Sequence, residues 1–261
     1  MIPFQDVLEV IPSQEERRIF IQSAYQTGYI SAKDIEFGSY PGGGLRLSGD
    51  SYERGVTIST LQMLTNHILV QDANGRVGYL NHPLSTQSLP AGNELIRRVI
   101  GSKHATTIEY DLDGLNSINL SGINVNGAWI LPNGSPNEGA GSRITFVPDE
   151  RLHLWTVIPN TNVLSRETTH MPLHIILAHE LIHADRYARG IAQSADLADG
   201  GTPVQNREYV TTRIMNSSGV ITEVTDFLLV EELMTVGLHP NSHSITENMI
   251  RLEHGLRERG R

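Results

Sequence analysis

His179-Glu180-Leu181-Ile182-His183 is the stretch on which the reading of this chain turns. Residues four apart on an α-helix lie one above the other, so His179 and His183 can each aim one ring nitrogen at a single cation. Glu180 is rotated by roughly 100° from His179 and is poorly placed to join them as a ligand. It can instead reach a water in an open coordination position, which makes it a general base. This pattern needs a helix beneath it. Leu173, Ile176, Leu177, Leu181 and Ile182 recur at helical spacing and predict an amphipathic helix with one apolar face. Thr168 or Thr169 can cap its start, Pro172 suits its first turn, and Gly190 suits a left-handed stop after Arg189. One Zn²⁺ per chain is the expected occupant.

Two histidines leave a catalytic metal one protein ligand short. Downstream, Glu231 and Glu232 interrupt the apolar run from Phe227 to Leu233, where charge is costly unless it is paired or metal-bound. Adjacent helical side chains point about 100° apart, so one carboxylate of the pair faces the metal and the other orients a ligand histidine. The alternative is a solvent-exposed acidic pair in the first turn of a helix.

His179 to Ala184 reads His-Glu-Leu-Ile-His-Ala, and Glu231 to Gly237 reads Glu-Glu-Leu-Met-Thr-Val-Gly. Together these blocks resemble the NleD-like family of bacterial type III secreted effector metallopeptidases, and they are similar to the clostridial neurotoxin light chains. Both groups are zincins with two histidine ligands and one glutamate. The resemblance covers mainly Gly139 to Gly255 and is weak before Thr106. It implies that Glu232 is the third ligand and Glu231 its supporting neighbour. It further implies that an arginine beyond the Glu-Glu block stabilises the oxyanion, which puts Arg259 in that role. The relatives carry a tyrosine shortly after that arginine. None follows Arg259 here, so either the natural sequence continues or another group takes the tyrosine's part. A basic tail of Arg257, Arg259 and Arg261 with no catalytic role is the competing reading.

The 261 residues suffice for one large domain or two closely joined lobes. With no cysteine, neither disulfides nor thiolate-bound zinc is available, which fits work in a reducing cytosol. A net charge of -9 without a basic stripe argues against nucleic acid as a partner. No apolar run is long enough for a membrane-spanning helix, and Met1 to Val10 lacks the order of a Sec signal peptide. Asn119-Leu120-Ser121 matches a glycosylation sequon by chance.

Along the chain, Ser13-Gln14-Glu15-Glu16 forms a capping box for a helix ending near Gly28. Pro41 to Gly44 is a break, Leu61, Leu64 and Ile68 suggest a helix, Pro83 to Gly92 is a second break, and about Asn93 to Ile100 is helical. Thr106 to Leu112, Ile118 to Leu131 and Gly141 to Pro148 read as strands, with Arg143 to Val147 expected at the sheet edge bordering the cleft. Ile191 to Gly219 reads as a polar loop or small lobe that contacts substrate. His174 is expected to be packed rather than ligating, and His239 and His243 are candidates for the cleft. Ser244-Ile245-Thr246-Glu247 caps a last scaffolding helix that Gly255 ends.

The expected fold is α+β of zincin-like type: a mixed sheet with one helix bearing the two histidines and a second bearing the glutamates. Residues 1–105 form a mostly helical lobe and 106–261 the catalytic core. The expected activity is that of a monomeric zinc endopeptidase. The family resemblance implies secretion by a type III-like system and cleavage of a host signalling protein in the host cytoplasm. The alternatives are a binding module with a structural metal, closed by a fourth ligand such as His239, and an interbacterial toxin or housekeeping peptidase.

Overall fold

The computed structural model describes residues 14–27, 30, 35–83, 88–121, 125–148, 154–166, 170–193, 207–242 and 245–260. In chain order its elements begin with α1 (Gln14–Gln26), β1 (Gly44–Leu47), α2 (Ser51–Gln62), β2 (His67–Gln71), β3 (Val77–Pro83), α3 (Pro90–Gly101), β4 (Ala105–Tyr110) and β5 (Ser117–Ser121). After a 3₁₀ turn at Val125–Ala128 come β6 (Gly141–Phe146), β7 (Trp155–Val157), β8 (Val163–Arg166), α4 (Leu173–Ala188), β9 (Arg207–Met215), β10 (Ile221–Leu229), α5 (Val230–Val236) and α6 (Glu247–Glu253).

The main sheet has the order β1-β4-β6-β5, with β1, β4 and β6 parallel and β5 antiparallel to β6. The expected edge strand is therefore an inner one. Arg143 is flanked by Thr107 on one side and Asn119 on the other, and β5 is the edge. Period-two alternation predicts that Ser142, Ile144 and Phe146 face inward, as they do; it carries no information about how many neighbours a strand has. The long strand expected from Ile118 to Leu131 stops at Ser121, and Trp129 makes only an isolated bridge to Ala192. The helix suggested by Leu61, Leu64 and Ile68 ends at Gln62, and Ile68 instead lies on β2. These three residues are all fully buried, so the spacing reported burial and not helix continuity.

The second sheet has the order β10-β9-β8-β7. β9, inside the Ile191 to Gly219 segment expected to be a loop, pairs with β10 just beyond it in a hairpin of nine residues per strand, and only Arg213–Met215 of β9 pair with β8. β10 then runs directly into α5, so the hairpin aims the glutamate pair.

α4 lies at the centre. Its sequence predicts one apolar face, yet every residue from His174 to Tyr187 is buried, because β5, β6, α2, α3, α5, α6 and the 3₁₀ turn pack against it. Pro172 is its N-cap without a side-chain bond, and the expected caps Thr168 and Thr169 lie outside the described residues. At its end Gly190 adopts φ +65°, and Ile191 N–H returns to the Arg186 carbonyl. A Cβ at Gly190 would lie 2.4 Å from the Asn137 carbonyl oxygen, so the stop needs glycine for both conformation and space.

One buried cluster joins Leu45, Leu61 and Leu95 to Ile144, Leu177 and Ile250, while Ile21, Ile35 and Ile68 form a smaller cluster beneath α1. The line expected between residues 105 and 106 falls at the start of β4, which pairs with β1. α1 appears where its capping box predicts, though Ser13 itself lies outside the described residues. Among the described residues no helix is long and apolar enough to cross a membrane.

Candidate metal centre

α4 supplies two imidazoles and α5 a carboxylate to one point. His179 Nε2 and His183 Nε2 are 3.2 Å apart. Glu232 Oε2 is 3.2 Å from the first and Glu232 Oε1 is 3.0 Å from the second. Ligand atoms about 2.0–2.1 Å from a tetrahedral Zn²⁺ would be separated from one another by roughly 3.3 Å. All three separations are close to that edge length, and the donors are of the nitrogen and oxygen types zinc takes. The cluster could hold a metal ion. The histidines are buried, whereas the Glu232 side chain is 42% exposed, so the cluster opens to solvent on the glutamate's side.

Behind each imidazole stands a different carboxylate. His183 Nδ1 lies 3.5 Å from Glu231 Oε1 and 3.2 Å from the Thr235 hydroxyl. Glu231 is itself gripped by Arg186, whose Nε and Nη2 donate at 2.5 and 2.9 Å, and it accepts the Gln193 N–H at 2.7 Å. His179 Nδ1 donates to Glu247 Oε2 at 2.9 Å. Glu247 is fully buried, and Arg259 Nη1 donates to the same oxygen at 2.9 Å while Arg251 Nη1 stands 3.7 Å from the other.

These charges perturb one another strongly. Burial disfavours imidazolium at His179, yet hydrogen bonds to Glu232 and Glu247 outweigh it and raise the group to about 9. At His183 burial is likewise overcome by Glu231 and Glu232, and the group rises to about 10. Burial would push Glu231 up, but His183 and Arg186 hold it down at about 2. Against the same burial penalty the two histidines hold Glu232 well below the usual carboxylate range. The shared physical cause is a compact set of opposite charges, all buried except the partly exposed Glu232, a pattern typical of functional sites.

Glu180 lies on α4 and is 9% exposed. It is near enough to join Glu231 and Glu232 in raising the Tyr187 phenol, after burial as the main cause. Arg259 does not sit in a free tail: Thr156 and Arg259 form a β-bridge, Val157 N–H bonds to the Glu258 carbonyl, and Gly260 N–H bonds to the Trp155 carbonyl. Its guanidinium reaches the candidate centre through Glu247. His239 is elsewhere, 3.9 Å from Glu208 and accepting the Asn241 N–H, and it is no member of the donor cluster. His243 lies outside the described residues. His174 packs against the His254 ring with centroids 4.4 Å apart.

The sequence assigns Glu247 to a helix cap only. Thr246 is the N-cap, accepting from Met249 N–H, and Glu247 turns inward to a partner 68 residues away. Arg186 was also missed, although an arginine three residues after His183 on a helix of apolar residues was a visible signal.

A cavity of about 400 Å³ opens against α4 but is lined by none of the three donors, and its Arg98 and Arg189 pair with Asp185. The cavity that touches the site is smaller, about 280 Å³, and borders Glu232 and Arg259.

The family model of Peptidase_M91, described as an effector protein, matches residues 84–261. No curated protein matches the chain.

Proposed function

The chain belongs to the Peptidase_M91 effector family, which is the NleD-like one, and we propose that it is a zinc-dependent endopeptidase of zincin type that acts on a host protein. The observation that carries this reading is the convergence of His179 Nε2 and His183 Nε2, 3.2 Å apart, on the Glu232 carboxylate, whose two oxygens each meet one of these nitrogens at 3.0–3.2 Å, with an open side towards solvent. In this reading His179, His183 and Glu232 hold one Zn²⁺. When bound, the ion supplies a Lewis acid that acidifies a water and polarises the scissile carbonyl.

The chain's own residues do the rest. Glu180 takes the water proton on its carboxylate and passes it to the leaving amine. Glu247 keeps His179 Nδ1 protonated, so that Nε2 is the nitrogen with a lone pair. Glu231 and Thr235 do the same for His183. Arg259, carried next to the cluster by the tail's pairing with β7, supplies positive charge for the developing oxyanion. Delivery by type III-like secretion, action as a monomer in the host cytoplasm and a signalling protein as substrate complete the proposal; the effector family and the absence of cysteine support it.

The experiment is Glu180→Gln. It should keep the fold and the zinc while turnover of a protein substrate falls by at least about 10²–10⁴-fold, the usual worth of a general base. Metal content and cleavage are read together, and wild-type turnover in the zinc-loaded variant would refute the peptidase assignment.

A further inference from the structure

The cavity beside Glu232 has a chemistry of its own. Phe227, Leu228 and Leu229 from the end of β10, Leu233 and Val236 from α5, and Leu238 beyond it form its walls. Its volume of about 280 Å³ falls just below the range of about 300–1,000 Å³ usual for small-molecule sites and suits one large side chain. It is not a gap in the core. Phe227 is 50% exposed and stacks on Tyr209, itself 77% exposed, with ring centroids 4.8 Å apart, so an aromatic shelf leads outward from the mouth. Arg207 lies over the Phe227 ring at 5.7 Å, and Arg259 borders the cavity from the tail that bridges to β7, so two arginines border it beside the Glu232 carboxylate.

We propose that this cavity receives a single large apolar side chain of the substrate, from a residue immediately next to the bond that is cut, and that the two arginines exclude lysine and arginine there. The inference rests on the peptidase reading above. Glu232 is shared by the donor cluster and the cavity wall. A peptide whose carbonyl sits at the cluster has a neighbouring side chain within reach of this space. Apolar walls reward burial of hydrocarbon, and like charge at the rim penalises a cationic head brought there.

The test is calorimetric titration of the zinc-loaded full chain with N-acetyl amino-acid hydroxamates of glycine, alanine, leucine, phenylalanine and lysine. The leucine and phenylalanine compounds should bind about 10–100-fold tighter than the glycine compound, with lysine no better than glycine. Leu238→Trp fills the cavity from a half-buried position and should remove that advantage while the glycine compound binds as to wild type. Phe227→Ala, at an exposed position, should weaken phenylalanine binding even if the tryptophan variant does not fold. Equal affinities across the series, or an unchanged ranking in folded Leu238→Trp or Phe227→Ala, would overturn the proposal and leave the metal centre standing. If the glycine compound also fails to bind, the metal-centre reading falls, and the side-chain assignment falls with it.

Discussion

Replacing Glu247 tests whether the site extends beyond the three donors. Burial pushes its carboxyl up, but His179 and Arg259 hold it below the usual range, so it is ionised in the folded protein. Glu247→Ala removes at one stroke the acceptor of His179 Nδ1–H, a partner of Arg259 and a carboxylate 3.7 Å from the fully buried Arg251. Breaking a buried pair from one side costs about 3–5 kcal/mol. For a chain of this size that lowers the melting temperature of the metal-free protein by roughly 6–20 °C. Loss of the histidine's outer partner should weaken zinc by about 10–100-fold. Glu247→Gln separates the two effects: its amide oxygen can still accept from His179, but its charge no longer holds the arginines. Zinc affinity should then fall less than in Glu247→Ala, while stability still drops. Chelator competition gives the affinity and thermal melts of the metal-free forms give the stability. A folded Glu247→Ala that binds zinc as tightly as wild type would refute the idea that this carboxylate orients a ligand, leaving it an ion-pair residue of the scaffold.

The adjacent glutamates should separate in the same assays: Glu232→Ala empties the zinc site and, its carboxylate being partly exposed, costs the metal-free protein less than Glu231→Ala, which strands buried Arg186 and costs about 3–5 kcal/mol of stability. If Glu231→Ala is the variant that empties the site at unchanged stability, the ligand assignment is reversed. Arg259→Ala should lower kcat by about 10²–10³-fold, and Arg259→Lys should restore pairing with Glu247 but only part of the rate; full kcat in the lysine variant would show that no guanidinium is needed. His174 gives a pH signature in the metal-free chain. Burial, with a contribution from His254, lowers it from 6.5 to about 4, so between those values the unfolded chain holds more protons. Its stability contribution is complete above about pH 6.5 and is lost as pH falls towards 4, a difference of about 3 kcal/mol. His174→Phe should flatten that acid limb in urea unfolding between pH 4.5 and 7.5, and an unchanged slope would refute the assignment.

The elements around the site were legible where one signal of local origin dominated. The histidine spacing predicts that both rings meet on one helix face, and Gly190 predicts the stop. The strands at Ala105–Tyr110 and Gly141–Phe146 lie within a residue or two of their alternating patterns. What could not be read was pairing. Whether β6 has one neighbour or two depends on where β5 folds back. That Ile191 to Gly219 contains half of a long hairpin depends on Ile221–Leu229 answering Arg207–Met215 in register. Glu247 belongs to the same class of failure. In sequence Ser244 to Glu247 satisfy a capping rule, which gives no reason to look for a distant partner, whereas in the structure Thr246 is the cap and Glu247 is freed to turn inward.

Why two adjacent glutamates have different surroundings follows from the same pairing. Both oxygens of Glu231 are taken, by the two nitrogens of Arg186 and the Gln193 N–H, which turn the carboxylate away from the open side and leave it only its edge towards His183. The oxygens of Glu232 instead meet the two imidazole nitrogens, at 3.2 and 3.0 Å. A carboxylate already matched to an arginine gains less from a cation than one facing only ring nitrogens, so electrostatics favours Glu232 as the ligand independently of any family pattern. The approach of these two glutamates to Glu247 runs through Gly237. Its φ of +98° ends α5, and a Cβ there would lie 2.8 Å from the Thr246 hydroxyl oxygen at the start of α6. One turn thus fixes α5, which carries Glu231 and Glu232, against α6, which carries Glu247. The three carboxylates are held as a set around two histidines that belong to a single buried helix.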